Sequence, residues 1–160
     1  MAKKTLSMRI LEGADIPYEV IEFPPDIHDA IGVAEYAEVP PNHVYKTLVT
    51  VRDEGKPMLV MIPADRSLDL KLLASTLGEK KVRMAKHDQA EELTGLQVGG
   101  ISALALLNRV FDVYIDRPAL DLTYILVSAG VRGLNLRLPV ENLVEITGAQ
   151  VIQATEAPEG

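Results

Sequence analysis

Two apolar runs flanking a short polar turn constrain this chain more than any other feature. Val44 to Val51 is rich in β-branched residues, Pro57 to Ile62 is a second apolar run, and Asp53-Glu54-Gly55-Lys56 between them has turn chemistry. The arrangement predicts an antiparallel hairpin, so the fold must be built around a sheet.

The remaining elements are read around that unit. Leu6 to Leu11 predicts an opening helix stopped near Gly13, and Tyr18 to Phe23 alternates as a strand that Pro24-Pro25 ends. Val33 to Val39 reads as a helix closed by Pro40-Pro41. Ser67 to Leu77 carries a leucine stripe with Gly78 just past its end, and a short helix from Asp88 to Leu93 has Asp88 in the N-cap place. Phe111 to Asp116, Tyr124 to Ser128 and Leu134 to Leu138 read as strands, Pro139 to Ile146 as a helix, and Val151 to Ala154 as a last strand. The residues from Glu156 onward read as a frayed tail. Strands in hairpins with helices between them predict an α/β fold of the α+β type, with a mixed and largely antiparallel sheet. No repeat or composition shift divides the 160 residues, so one domain is expected over 1–160. A doubly wound nucleotide fold needs a glycine fingerprint at a strand-to-helix turn, and the glycine pair sits elsewhere.

Composition removes several kinds of chemistry. The chain has no cysteine, which excludes disulfides, thiolate nucleophiles and cysteine-ligated metal sites. No apolar stretch follows the N-terminus as a signal peptide would, and every apolar run falls short of the ~20 residues that span a bilayer. A cytoplasmic protein without a membrane partner is the expectation. The formal charge of −7 disfavours a broad grip on nucleic acid, and no DNA partner is expected. Lys80, Lys81, Arg83 and Lys86 form the one dense basic run, which suits a solvated strand edge or a small nucleic-acid contact.

A few residues can carry chemistry. Alternation puts Lys46 on one strand face with Leu48 and Thr50. There it is either a snorkelling lysine at a sheet edge or a cation held over a cleft. In Gly99-Gly100-Ile101-Ser102 the paired glycines suit a plain turn, or a backbone that approaches a ligand and surrounds an oxyanion. Ser102 has no histidine or carboxylate near it in sequence, so no serine triad is read there. His28, His43 and His87 have no metal-ligand spacing, and neither metal nor cofactor is expected. Ser128 and Arg132 flank a glycine turn.

Taken in order, three segments resemble the YbaK/ProX family, the prolyl-tRNA-synthetase-associated editing domain. Pro40-Pro41-Asn42-His43-Val44-Tyr45-Lys46-Thr47-Leu48-Val49 is similar to the family stretch ending in Lys-Thr-Leu-Val. Val98-Gly99-Gly100-Ile101-Ser102 resembles the first half of its Gly-Gly-x-Ser-Pro-x-Gly loop, and Ser128-Ala129-Gly130-Val131-Arg132-Gly133-Leu134 its Ser-Ala-Gly-x-Arg-Gly-Leu turn. The resemblance implies a YbaK-like fold, in which the mixed sheet curls into a partial barrel with flanking helices and one cleft. It also implies trans-editing deacylation of mischarged tRNA, with Cys-tRNA(Pro) or Ala-tRNA(Pro) as substrate. In that family the lysine matching Lys46 is essential and a glycine matching Gly100 lines the site. Gly99, Ile101, Ser102, Thr47, Ser128 and Gly130 become substrate-contact candidates on the same basis, with Tyr18 at the pocket edge. The basic run becomes a candidate tRNA contact, and prolyl-tRNA synthetase a candidate partner.

Two departures stand out. Ala103-Leu104-Ala105 replaces the Pro-x-Gly half of the loop, and Asn135 stands where many members carry Asp. Asn135 is itself a substrate-contact candidate, and losing the charge there bears on the substrate amine or on Lys46. Both changes give weight to a rival expectation, a non-catalytic module that binds an amino acid or a tRNA end.

Overall fold

The computed structural model describes residues 4–27 and 29–156. His28 and the end of the expected tail lie outside the described residues. The hairpin forms as expected: β2 (Tyr45–Arg52) pairs antiparallel with β3 (Met58–Pro63), Lys46 opposite Ile62. The remaining strands are β1 (Glu19–Glu22), β4 (Val82–Met84), β5 (Asp112–Asp116), β6 (Tyr124–Ser128), β7 (Leu134–Pro139) and β8 (Gln150–Ile152). Among the described residues five α-helices accompany them: α1 (Leu6–Gly13), α2 (Ala30–Ala37), α3 (Leu70–Leu77), α4 (His87–Thr94) and α5 (Val140–Thr147).

The single sheet expected from sequence is divided into two. Five strands run in the order β4-β2-β3-β5-β8 and three in the order β1-β7-β6. The β3–β5 and β5–β8 pairs are parallel and the others antiparallel, so the mixed, largely antiparallel character holds. Among the described residues a single parallel bridge, Val44 to Leu126, joins the sheets, and no barrel closes.

Alternation fixes which residues each layer buries. Tyr45, Val49, Leu59 and Met61 face Met8 and Leu11 of α1 and the inner side of the small sheet, Ile125, Val127, Leu136 and Leu138. On the other face Met58, Val60 and Ile62 pack with Leu73 and Ala74 of α3. A third, smaller cluster, with Phe23, Val33, Val44 and Leu126, sits beneath α2. Side chains on the outer face of the small sheet are thereby turned toward α2.

Helix starts differ from the sequence reading where a cap competes with apolar spacing. Asp29 accepts from Gly32 N at 2.7 Å and starts α2 three residues before Val33. Asp69 accepts from Leu72 N at 3.0 Å, so α3 begins at Leu70 and not at Ser67. In α4 the N-cap place belongs to Lys86, and Asp88 lies in the first turn. A carboxylate there is favoured by the helix dipole without being the cap.

Candidate active site at the seam between the sheets

The site follows from the way the two sheets part. Val44 and Leu126 touch in a parallel bridge, and β2 and β6 then run on in the same direction. Opposite β3, β2 gains a strand neighbour only from Thr50 onward, where β4 pairs with it. Tyr45 to Leu48 therefore face a gap. Two residues beyond the bridge, about 7 Å along each strand, stand Lys46 on one lip and Ser128 on the other. Register then brings in Asn135, the partner of Ser128 on β7.

A cavity of about 440 Å³ fills this gap. Lys46, Thr47, Gly99, Ile101, Ser128 and Asn135 all stand on its wall, together with Arg132. Phe23, Ile27, Val33 and Val44 make most of its surface apolar. Few polar groups in an apolar cleft is the usual composition of a small-molecule site. Part of this wall was missed in the sequence: Phe23 read as the end of a strand, Ile27, Asp29 and Ala30 precede the helix expected from Val33, and only the tertiary fold brings them to the cavity that Lys46 lines.

The polar groups are poised for a ligand. Among the described residues Lys46 makes no ion pair. Ser128 Oγ accepts from Gly130 N at 3.1 Å, which leaves its own proton free to donate. Asn135 is 7% exposed, and within the described residues its amide finds no protein partner. Among the described residues the one carboxylate on the wall, Asp29, caps α2. The cavity thus presents two cations, Lys46 and Arg132, with little to offset them.

Several expected contacts lie elsewhere. Tyr18 donates its hydroxyl to Glu12 at 2.7 Å, a bond that pushes its pKa up to about 12, and it stands off the cavity wall. Ser102 is 1% exposed and its Oγ lies 3.1 Å from Ser7 Oγ, with no base bonded to it among the described residues. Gly100 donates its amide to Gln97 O at 2.8 Å and is not on the wall. It is therefore not a donor to a ligand oxyanion. Gly130 faces a different hollow of about 650 Å³, which Leu6, Arg109 and Val131 also line.

The altered loop is also away from the cavity. Ala103 and Leu104 are buried in the main core, and Leu104–Leu106 form a 3₁₀ turn. The lost Pro-x-Gly is replaced here by core packing. Lys80, Lys81, Arg83 and Lys86 are exposed on and around β4, an edge strand at the far end of β2 from Lys46. Basic side chains on an edge strand discourage unwanted pairing. Among the described residues no helix is long and apolar enough to cross a membrane.

Comparison with known proteins gives the family of the chain. Residues 24–146, which contain every wall residue named above except Phe23, match the model of the aminoacyl-tRNA editing domain family. A protein of Enterococcus faecalis, provisionally named the Cys-tRNA(Pro)/Cys-tRNA(Cys) deacylase EbsC, is 36% identical over 155 residues, covering 96% of this chain and 94% of that one. The proline–tRNA ligase of Aquifex aeolicus is 29% identical over 82 residues, which are 51% of this chain but 14% of the ligase. Among solved structures, a provisionally assigned trans-editing enzyme for prolyl-tRNA synthetase superposes with a TM-score of 0.80 at 25% identity, covering 94% of this chain and 98% of that one. The chain belongs to the aminoacyl-tRNA editing domain family, the YbaK family.

Proposed function

We propose that this chain is a trans-editing deacylase that hydrolyses the ester of mischarged tRNA, with Cys-tRNA(Pro) or Ala-tRNA(Pro) as substrate. The observation that carries the reading is the cavity at the seam, with Lys46 and Ser128 on opposite lips of a mostly apolar cleft. The volume suits a terminal ribose ester with a small amino acid. In this reading the Lys46 ammonium donates to the ester carbonyl oxygen and stabilises the charge that develops on it. Thr47 and Ser128 supply hydroxyls, and the Asn135 carbonyl accepts from the substrate ammonium.

The nucleophile comes from outside the protein. Ser102 is buried against Ser7, and Ser128 has no base beside it among the described residues. Water attacks the carbonyl carbon, the bond to the ribose oxygen breaks, and the proton passes to that oxygen. With a cysteinyl substrate its own thiol can attack instead. Release of labelled amino acid from a panel of mischarged tRNAs tests the reading. Turnover of Cys-tRNA(Pro) or Ala-tRNA(Pro) above that of correctly charged tRNAs supports it. Binding without turnover of any member favours the rival, a recognition module, which the lack of a free carboxylate on the wall also suits.

Asn135→Asp is expected to raise kcat/KM on the preferred substrate. The amide already faces the cavity without a partner, so the change gives the substrate ammonium a charged acceptor. A hydrogen bond to a charged group contributes roughly 1.5–3 kcal/mol, so a gain of about tenfold is expected. Lys46 and Arg132 on the same wall offset the cost of placing a carboxylate at this buried position. The gain should fade in acid as the introduced carboxylate takes up a proton. Unchanged kcat/KM at neutral pH places Asn135 away from the amine.

A further inference from the structure

Arg132 is held at the cavity wall by contacts that leave most of its donors unused. Its Nε donates to Val98 O at 2.8 Å, tying the turn after β6 to the glycine loop. The side chain lies close over Gly99, where an added Cβ would be 3.3 Å from Nε and 3.5 Å from Cγ. The backbone beneath is confined as well. A Cβ on Gly100 would meet Val131 C at 2.9 Å and Arg132 N at 3.0 Å, and one on Gly133 would meet Phe23 O at 3.2 Å.

A guanidinium has five N–H donors in a planar fork, and one of them is in use here. Among the described residues Arg132 makes no ion pair, and the residue is exposed. Most exposed arginines sample many rotamers and lose that freedom on binding. Here the Nε bond to Val98 O and the packing over Gly99 restrain the side chain, so capture of a ligand costs less entropy. The free side of the fork matches the paired oxygens of a phosphate.

We infer that Arg132 binds the phosphate on the 5′ side of the terminal nucleoside whose ribose carries the ester. The inference rests on the deacylase reading and divides its work. With the ester between Lys46 and Ser128, the same nucleoside carries its 5′ phosphate toward the exposed rim, where Arg132 stands. Arg132 is then a substrate-binding residue that sets the ester in place, and Lys46 is left to act on the carbonyl. A local fork of this kind also lets a chain of net charge −7 hold an RNA end without a broad basic surface.

The test compares the 3′-cysteinyl ester of adenosine with the same ester of adenosine 5′-monophosphate. The parent protein should favour the phosphate-bearing ester by about tenfold or more, chiefly in KM. Arg132→Ala should abolish that preference, raising KM for the phosphate-bearing ester about tenfold more than KM for the phosphate-free one, and Arg132→Lys should restore part of it. Equal losses on both esters indicate a merely structural residue, and a retained preference places the phosphate elsewhere. Either result overturns the inference. Binding of adenosine 5′-monophosphate and of adenosine, measured by calorimetry, gives an answer independent of turnover. Arg132→Ala should weaken the nucleotide about tenfold more than it weakens the nucleoside. That result without hydrolysis of either ester refutes the deacylase reading alone. Equal nucleotide binding by parent and variant refutes the role of Arg132.

Discussion

Lys46→Ala is expected to lower kcat/KM for deacylation by about 100-fold or more, the cost of removing one donor to a developing oxyanion. The melting temperature should move by only a few degrees, about the effect of 1 kcal/mol in a domain of this size. The expectation comes from the position of the residue. Lys46 is half-buried at the start of β2, where the sheet has no strand on the cavity side, and it makes no ion pair among the described residues. Truncation therefore leaves no buried partner without its bond. Lys46→Arg is the informative second variant, because it keeps the charge but replaces a compact ammonium by a wider planar fork. Partial activity there would locate the function in charge, and none would locate it in shape. Full activity in Lys46→Ala with an unchanged melting temperature removes the residue from the chemistry. Loss of the fold would show that its aliphatic stem, between Val44 and Leu48, is structural.

Local signals carried the elements, and non-local ones hid the site. The β2–β3 hairpin and the end of α3 were legible because glycines mark the turns: Gly55 and Gly78 adopt φ of +116° and +71°, which a Cβ disfavours. The starts of α2 and α3 were not. Asp29 and Asp69 cap them through hydrogen bonds, while the apolar spacing around them suggested other boundaries. Lys46 could be placed on a face by alternation, but whether that face met solvent or a cleft depends on the Val44–Leu126 bridge. Nothing in either segment alone announces that contact. The same limit applied to Arg132 and Val98, whose bond joins two loops far apart in the chain. The family resemblance supplied what local reading could not, the association of the three segments in one site. It could not show that Gly100 faces a peptide backbone, or that Ser102 is committed to Ser7.

Gly100→Val is the second change expected to have a large effect, and the structure gives it a different cause from a blocked ligand. The Gly100 amide donates to Gln97 O, and the place of a side chain is occupied by Val131 C, Val131 Cα and Arg132 N, all within 2.9–3.0 Å of an added Cβ. These are backbone atoms, so no rotamer can move them aside. The turn cannot retreat either, because Phe23 N donates to Gly133 O at 2.9 Å and Ala129 N to Leu134 O at 3.0 Å. A β-branched side chain must push the glycine loop and the turn apart, at the upper end of the roughly 1–3 kcal/mol typical of overpacking. In a domain of this size that corresponds to a fall of about 6–12 °C in melting temperature. The displaced loops carry Gly99, Ile101, Ser128 and Arg132, so one cavity wall loses its shape and activity should fall on every substrate, small esters included. Gly13→Ala is the matched control. It stands at the end of α1 with nothing within 4 Å of an added Cβ and no positive φ, so its melting temperature should hold or rise slightly. Gly100→Val that melts with the parent but rejects large substrates and accepts small ones would return Gly100 to the cavity wall. Parental melting with parental activity on all substrates would show that the two loops yield freely, against the contacts that confine them.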